Sequence, residues 1–213
     1  MIPNKKIVVL ISGSGSNLQA FIEAQKEVGF GGEIVAVFSN KPEAFGLGRA
    51  KKAGIPAVSI HHKDYPSREA FDQVLTQKIN RYQPDIIVLA GFMRILSANF
   101  VAEFHGRLLN IHPSLLPKYT GLHTYKRVLE SQDEYHGTSV HFVTEELDGG
   151  PIVAQARTKI LKNDTEEALV KRILALEHQL YPAVVKMLMA GQIELIQGEV
   201  YFENKKLEQP ITF

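Results

Sequence analysis

KIVVLIS (6–12), EIVAVFSN (33–40), the short PAVSI (56–60) and DIIVLAGF (85–92) carry apolar, mostly β-branched residues at odd and even positions alike. Successive side chains of a strand point to opposite faces, so a run that is apolar on both faces needs cover on both sides. A parallel sheet flanked by helices supplies that cover, whereas an antiparallel meander with one wet face does not. The intervening segments 16–28, 46–53 and 67–82 have helical patterning. Strand and helix therefore alternate, and the fold class is α/β with a doubly wound, mostly parallel sheet.

After RLLNIH (107–112) the texture changes. GTSVHFVT (137–144) and GGPIVAQARTKI (149–160) read as strands joined only by EELDG, which points to an antiparallel C-terminal addition to the sheet. Segment 165–190 reads as one long helix with Leu169, Ile173, Leu176, Leu180 and Met187 on a stripe. Asp164 with Glu167 is expected to cap it, Gly191 to end it and Pro182 to kink it. EVYFENKKL (199–207) is compatible with a short hairpin, and 117–134, rich in turn residues and polar groups, with a mobile lid. A length of 213 residues suits one buried core, so we expect a single domain over 1–213, with halves 1–105 and 106–213.

A formal charge of +1 and the lack of a long basic run give no electrostatic case for nucleic acid. With no cysteine there is no disulfide framework, thiolate metal site or cysteine nucleophile. His61-His62 and His136 with His141 lack further ligands at usual spacings, so no metal is expected. The apolar run behind Lys5 and Lys6, roughly six residues, is too short for a signal peptide. No apolar stretch reaches the roughly twenty residues that span a bilayer. A soluble cytoplasmic protein acting on small molecules is the expectation, with no membrane partner.

Two motifs carry chemistry. ISGSGSNLQAF follows the first strand and opens the first helix. Its glycines permit close backbone approach, and a helix N-terminus favours an anion, so Gly15, Ser16 and Asn17 form a candidate phosphate pocket, with Ser16 doubling as cap opposite Gln19. Leu18 replaces the third glycine of a dinucleotide fingerprint, and FSNKP supplies no acid for a ribose, which argues against NAD. A tight turn that binds nothing is equally compatible with the loop alone. The second motif is LLNIHPSLLPKYTG (108–121), where Asn110 and His112 share one face at a strand end. Asp148, in ELDGGPI, sits in a loop from which a carboxylate can reach the imidazole and favour its protonated form. Ser114 lacks a nucleophile-elbow setting. Direct attack by a substrate nucleophile is the simpler scheme, with Asn110 and His112 donating to an oxyanion and Asp148 handling protons.

NIHPSLLPKYTG together with HGTSVHFVTEELDGGPI resembles the formyltetrahydrofolate-dependent formyltransferases and hydrolases, and VLISGSGSNLQA with VLAGFMRIL resembles their purine-biosynthetic branch. The resemblance covers nearly the whole chain. It implies a Rossmann-like fold and transfer of the formyl group of 10-formyltetrahydrofolate, a cosubstrate, to the amine of glycinamide ribonucleotide. The family's catalytic positions fall on Asn110, His112 and Asp148, and its phosphate site on Gly15, Ser16 and Asn17. Glu177 would face the ribose or glycinamide part, against the competing reading of an exposed helical carboxylate. Met93, Arg94, Ile95 and Leu96, with Val143 and Asp148 of the VTEELD loop, would hold the folate. Arg68 matches a position near the folate's glutamate tail, or is simply a helix-surface arginine. Ser14 departs from a frequent asparagine, and RILAL before Glu177 from the glutamines of some relatives. Relatives occur as monomers and homodimers. A tRNA-formylating enzyme would add a basic C-terminal domain of which the chain shows no trace, and a formyltetrahydrofolate hydrolase usually adds an N-terminal regulatory domain. A catalytically silent folate or phosphate sensor is the remaining alternative.

Overall fold

The computed structural model describes residues 4–213. The chain forms two compact units, one ending at Leu109 and the other running from Asn110 to Phe213.

The first unit contains β1 (Lys5–Ile11), α1 (Ser16–Ala24), β2 (Gly32–Ser39), α2 (Phe45–Lys52), β3 (Ala57–Ser59), a 3-10 turn at His62–Asp64, α3 (Arg68–Asn80), β4 (Ile86–Leu89) and α4 (Ala98–Glu103). Its strands lie in the order β4-β1-β2-β3, all parallel. Ile7 through Ile11 are wholly buried, as a strand covered on both faces requires. The expected elements are present with shorter ends. Helix α1 stops at Ala24 because the chain turns through Lys26 and Glu27 onto carbonyls three residues back, leaving Val28 fully exposed.

Ser16 is not the cap of α1. Gly15 occupies that position at φ 69°, and no side chain caps the helix. The glycine is required for room as well as for its backbone: a Cβ there would come 2.7 Å from Gly46 Cα in α2. Gly46 N–H donates to the Gly13 carbonyl at 3.0 Å, so loop and helix meet backbone to backbone.

β5 (Leu108–His112) carries the chain into the second unit, which continues with α5 (Thr124–Leu129), β6 (Tyr135–Phe142), β7 (Ile152–Lys159), α6 (Glu166–Met189), β8 (Ile193–Ile196), β9 (Glu199–Phe202), β10 (Lys205–Lys206) and β11 (Ile211–Thr212). The order here is β5-β6-β7-β11. β6 and β7 are antiparallel, as the short EELDG connection requires, while β11 returns parallel to β7. β8, β9 and β10 form a separate antiparallel sheet that contains the expected tail hairpin.

Helix α6 packs on β6 and β7. Its buried row is Leu169, Ile173, Glu177, Tyr181, Val185 and Met189, with Leu180 and Val184 beside it. Leu176 and Met187 are only half-buried, so the stripe lies about one position round from the expected one. Thr165, not Asp164, is the cap, accepting from Ala168 N–H at 3.2 Å, and Asp164 instead receives the Arg172 guanidinium. The helix runs through Pro182 as one element, with the ring buried against its neighbours. Among the described residues no helix is long and apolar enough to cross a membrane.

The Gly46 contact gives a sign-sensitive test. Alanine in a helix interior is ordinarily favoured over glycine by up to about 1 kcal/mol. A Cβ on Gly46, however, would meet Ile11 Cδ1 at 2.5 Å and Gly15 Cα at 3.1 Å. We expect Gly46→Ala to lower unfolding free energy in urea by about 1–3 kcal/mol, the usual range for overpacking. A more stable variant would show that the contact relaxes freely.

Candidate active site

Four polar side chains of the second unit converge. His112 is the last residue of β5 and points to the same face as Asn110, two residues earlier. His112 Nδ1 lies 3.4 Å from Asp148 Oδ2, with both side chains more than nine-tenths buried. His112 Nε2 lies 2.8 Å from the Tyr119 carbonyl oxygen. Each ring nitrogen thus faces an acceptor, and only the doubly protonated ring donates to both. The second Asp148 oxygen is 3.8 Å from His141 Nε2.

His141 has the opposite character. Its Nδ1 donates to the Phe142 carbonyl at 2.9 Å, and burial holds the ring's pKa below its ordinary value. A neutral ring with hydrogen on Nδ1 leaves Nε2 as an acceptor, which the Asn110 amide nitrogen meets at 3.2 Å. One amide hydrogen of Asn110 is committed to His141, and an amide nitrogen carries two. Two imidazoles beside one carboxylate therefore do different work, one as a donor and one as an acceptor that orients Asn110.

The turn explains why Asp148 reaches this position. Asp148 adopts φ 53°, an unusual region that aspartate tolerates better than most residues. Gly150 has no room for a side chain, since a Cβ would come 1.9 Å from the Phe142 carbonyl oxygen. Asp148 Oδ2 also accepts the Gly121 N–H at 2.8 Å. Segment 113–123 thus contacts the pair at both residues, through the Tyr119 carbonyl and the Gly121 amide.

Glu177 is buried at 4% exposure in the apolar row of α6, which overturns the exposed-carboxylate reading. Its Oε1 lies 3.4 Å from Thr138 Oγ1, whose hydroxyl also reaches the His112 carbonyl at 3.0 Å. Burial, aided by the Glu177 charge, raises the Tyr125 phenol well above its ordinary range.

In the first unit the Gly13 and Ser14 carbonyls turn toward α2, one accepting Gly46 N–H and the other Arg49 Nε at 2.9 Å. In a trans peptide the next N–H points the opposite way, so the Ser14 and Gly15 amides face away from α2. Ser16 is half-buried and Asn17 buried at the start of α1. Buried Ser12 ties this loop to the one after β4: its N–H donates to the Gly91 carbonyl at 3.1 Å, and its Oγ accepts Met93 N–H at 2.8 Å.

The stretch 93–96 alternates like a strand. Met93 and Ile95 are 67% and 56% exposed, whereas Leu96 is buried and the Arg94 guanidinium lies 4.8 Å over the Phe71 ring. Exposed apolar wall and main chain are what the stretch offers a ligand, and the Arg94 side chain belongs to the interior. Arg68, first residue of α3, is exposed with Nε 3.2 Å from Glu69. Val143, just beyond β6, is half-buried.

Asn110 and His112 share a strand face as the spacing predicts, and the loop carboxylate of Asp148 reaches His112. Sequence reasoning considered His141 only as a metal ligand and missed its bond to Asn110. Its place in GTSVHFVT, a run whose strand is buried from His136 to Phe142, is the available signal. Among the described residues no group of three or more His, Cys, Asp or Glu is placed to hold a metal ion.

A family model described as formyl transferase matches residues 5–185, and the chain belongs to that family. It is 51% identical over 201 residues to the phosphoribosylglycinamide formyltransferase of Escherichia coli K12, covering 94% of this chain and 95% of that protein. The human trifunctional purine biosynthetic protein adenosine-3 is 41% identical over 190 residues, 89% of this chain and 19% of that longer protein. Among solved structures, phosphoribosylglycinamide formyltransferase from Coxiella burnetii superimposes with a TM-score of 0.95 at 47% identity, over 99% of both chains.

A further titratable group lies beside the cluster. His136, 1% exposed, is flanked edge-on by Tyr119 and Tyr125 at 6.2 and 5.6 Å. Burial lowers its pKa to about 4, against the opposing Pro113 carbonyl. Because the unfolded ring titrates near 6.5, the unfolded chain binds the extra proton first as pH falls. Stability from this group is complete above about pH 6.5 and is lost between there and about pH 4. It amounts to something on the order of 3 kcal/mol. Urea unfolding against pH should show this decline and a shallower one in His136→Asn; identical slopes would remove His136 as the cause.

Proposed function

We propose that the chain transfers the formyl group of 10-formyltetrahydrofolate to the amine of glycinamide ribonucleotide, a step of purine biosynthesis. The observation that carries this reading is the pairing of His112 with Asp148 beside Asn110. The similarity to phosphoribosylglycinamide formyltransferases supports the choice of substrates.

In this reading the substrate amine attacks the formyl carbon, a new C–N bond forms, and the bond to the folate nitrogen breaks. Asn110 donates its second amide hydrogen to the formyl oxygen as it becomes an oxyanion, with His141 fixing the amide's orientation. His112 supplies the second donor and the positive charge. Asp148 sustains that charge and accepts the proton leaving the attacking amine, which is returned to the departing nitrogen. Donation from His112 Nε2 requires the Tyr119 carbonyl to withdraw, so segment 113–123 moves off the imidazole as substrate arrives.

The ribonucleotide phosphate rests on Gly15, Ser16 and Asn17, where the Ser14 and Gly15 amides and the α1 N-terminus favour an anion. Glu177 meets the ribose or glycinamide portion. In the first unit the folate is assigned to Met93 to Leu96, with Arg68 for its glutamate tail; in the second unit Val143 and Asp148 are its assigned contacts. An exposed apolar wall with main-chain donors and acceptors suits a flat, edge-polar pterin. The chain is a single formyltransferase domain, working as a monomer or homodimer without metal.

The test is an absorbance assay with 10-formyltetrahydrofolate, with and without glycinamide ribonucleotide. Deformylation only in the ribonucleotide's presence is expected; deformylation without it would indicate a hydrolase, and none in either tube a silent binder. His112→Ala and Asp148→Ala should each lower kcat roughly hundredfold or more with an unchanged fold. Near-normal kcat in either variant would refute the catalytic roles of this pair.

A further inference from the structure

We propose that Asp72, on α3, is a positioning residue for the folate stretch: it holds Ser97 and turns Arg94 inward, so that Met93 to Leu96 present their main chain to the pterin. The inference rests on the folate assignment above. Asp72 is 1% exposed, and its Oδ2 accepts the Ser97 N–H at 2.6 Å. Ser97 is the N-cap of α4, so this one bond fixes where the loop ends and the helix begins. The other end is held by Met93 N–H on Ser12 Oγ. Four residues are thus pinned at both ends, and the Arg94 guanidinium lies on Phe71, next to Asp72 in sequence, leaving Met93 and Ile95 outward.

Stability alone gives little reason for a carboxylate here. Burial disfavours its charged form and outweighs the Ser97 N–H and the Arg94 charge that favour it. Among the described residues Asp72 Oδ1 and Arg94 Nε have no hydrogen-bond partner, so two buried polar atoms are left uncompensated. An apolar residue would fill the same space without that penalty where only packing matters. What the acid does that an apolar residue cannot is accept from a loop amide while attracting the loop's arginine. A misplacement of about 1 Å in a site held this way can cost about a hundredfold in rate.

The experiment measures equilibrium binding of a stable formylated dideazafolate, the KM for glycinamide ribonucleotide, and hydrogen exchange at 93–97. Asp72→Ala should raise the folate Kd about tenfold, while the ribonucleotide KM changes less than about twofold. Asp72→Asn retains an oxygen for Ser97 but loses the charge that attracts Arg94, and should raise Kd about threefold. Wild-type folate affinity in either variant, or a parallel rise in the ribonucleotide KM, overturns the positioning role. If Asp72→Ala does not fold, Asp72→Asn decides by the same criteria. A wild-type protein that binds folate without slowing exchange at 93–97 overturns the folate assignment itself, and the role of Asp72 with it.

Discussion

Everything at the centre of the second unit depends on one buried carboxylate. Asp148 is carried inward on a turn that needs a positive φ at the acid and no side chain at Gly150. Once there, it faces two imidazoles and a loop amide. The two imidazoles face unlike partners. His112 faces an acceptor at each ring nitrogen; His141, committed to a backbone carbonyl, accepts from Asn110. In the proposed reaction that asymmetry lets one small cluster hold a donor for the oxyanion and the group that orients it.

Much of the first unit was legible because its signal is redundant. A strand apolar on both faces, followed by an amphipathic helix, tolerates few alternatives, and β1, β2 and β4 fall where the runs lie. Asn110 and His112 were legible because strand geometry forces i and i+2 onto one face. His141 was not, because its bond to Asn110 depends on where β6 lies and on a tautomer fixed by a backbone carbonyl. Helix ends were misread where two residues compete for one role. Asp164 and Thr165 both suit a cap, and the nearby Arg172 draws the acid away. Gly15 reads in sequence as a phosphate-loop or tight-turn glycine, and its constraint by Gly46, a residue in another element, is visible only in the fold.

Glu177 illustrates a different limit. Helical spacing placed a carboxylate near the apolar stripe, and propensity alone favours turning it outward. The row Leu169, Ile173, Glu177, Tyr181 instead carries it into the interior, beside Thr138 and near Tyr125. A polar side chain on a core row is a departure from good packing, and such departures concentrate where a protein has work to do.

The alternation at residues 93–96 divides labour between main chain and side chains in a way that bears on how the protein can change. Outward residues make a wall whose apolar members are interchangeable within limits, and inward residues set the posture of the amides between them. On the proposed folate assignment, ligand preference is stored less in the loop itself than in the helix behind it. A new specificity is more readily written into α3 than into the four residues it supports.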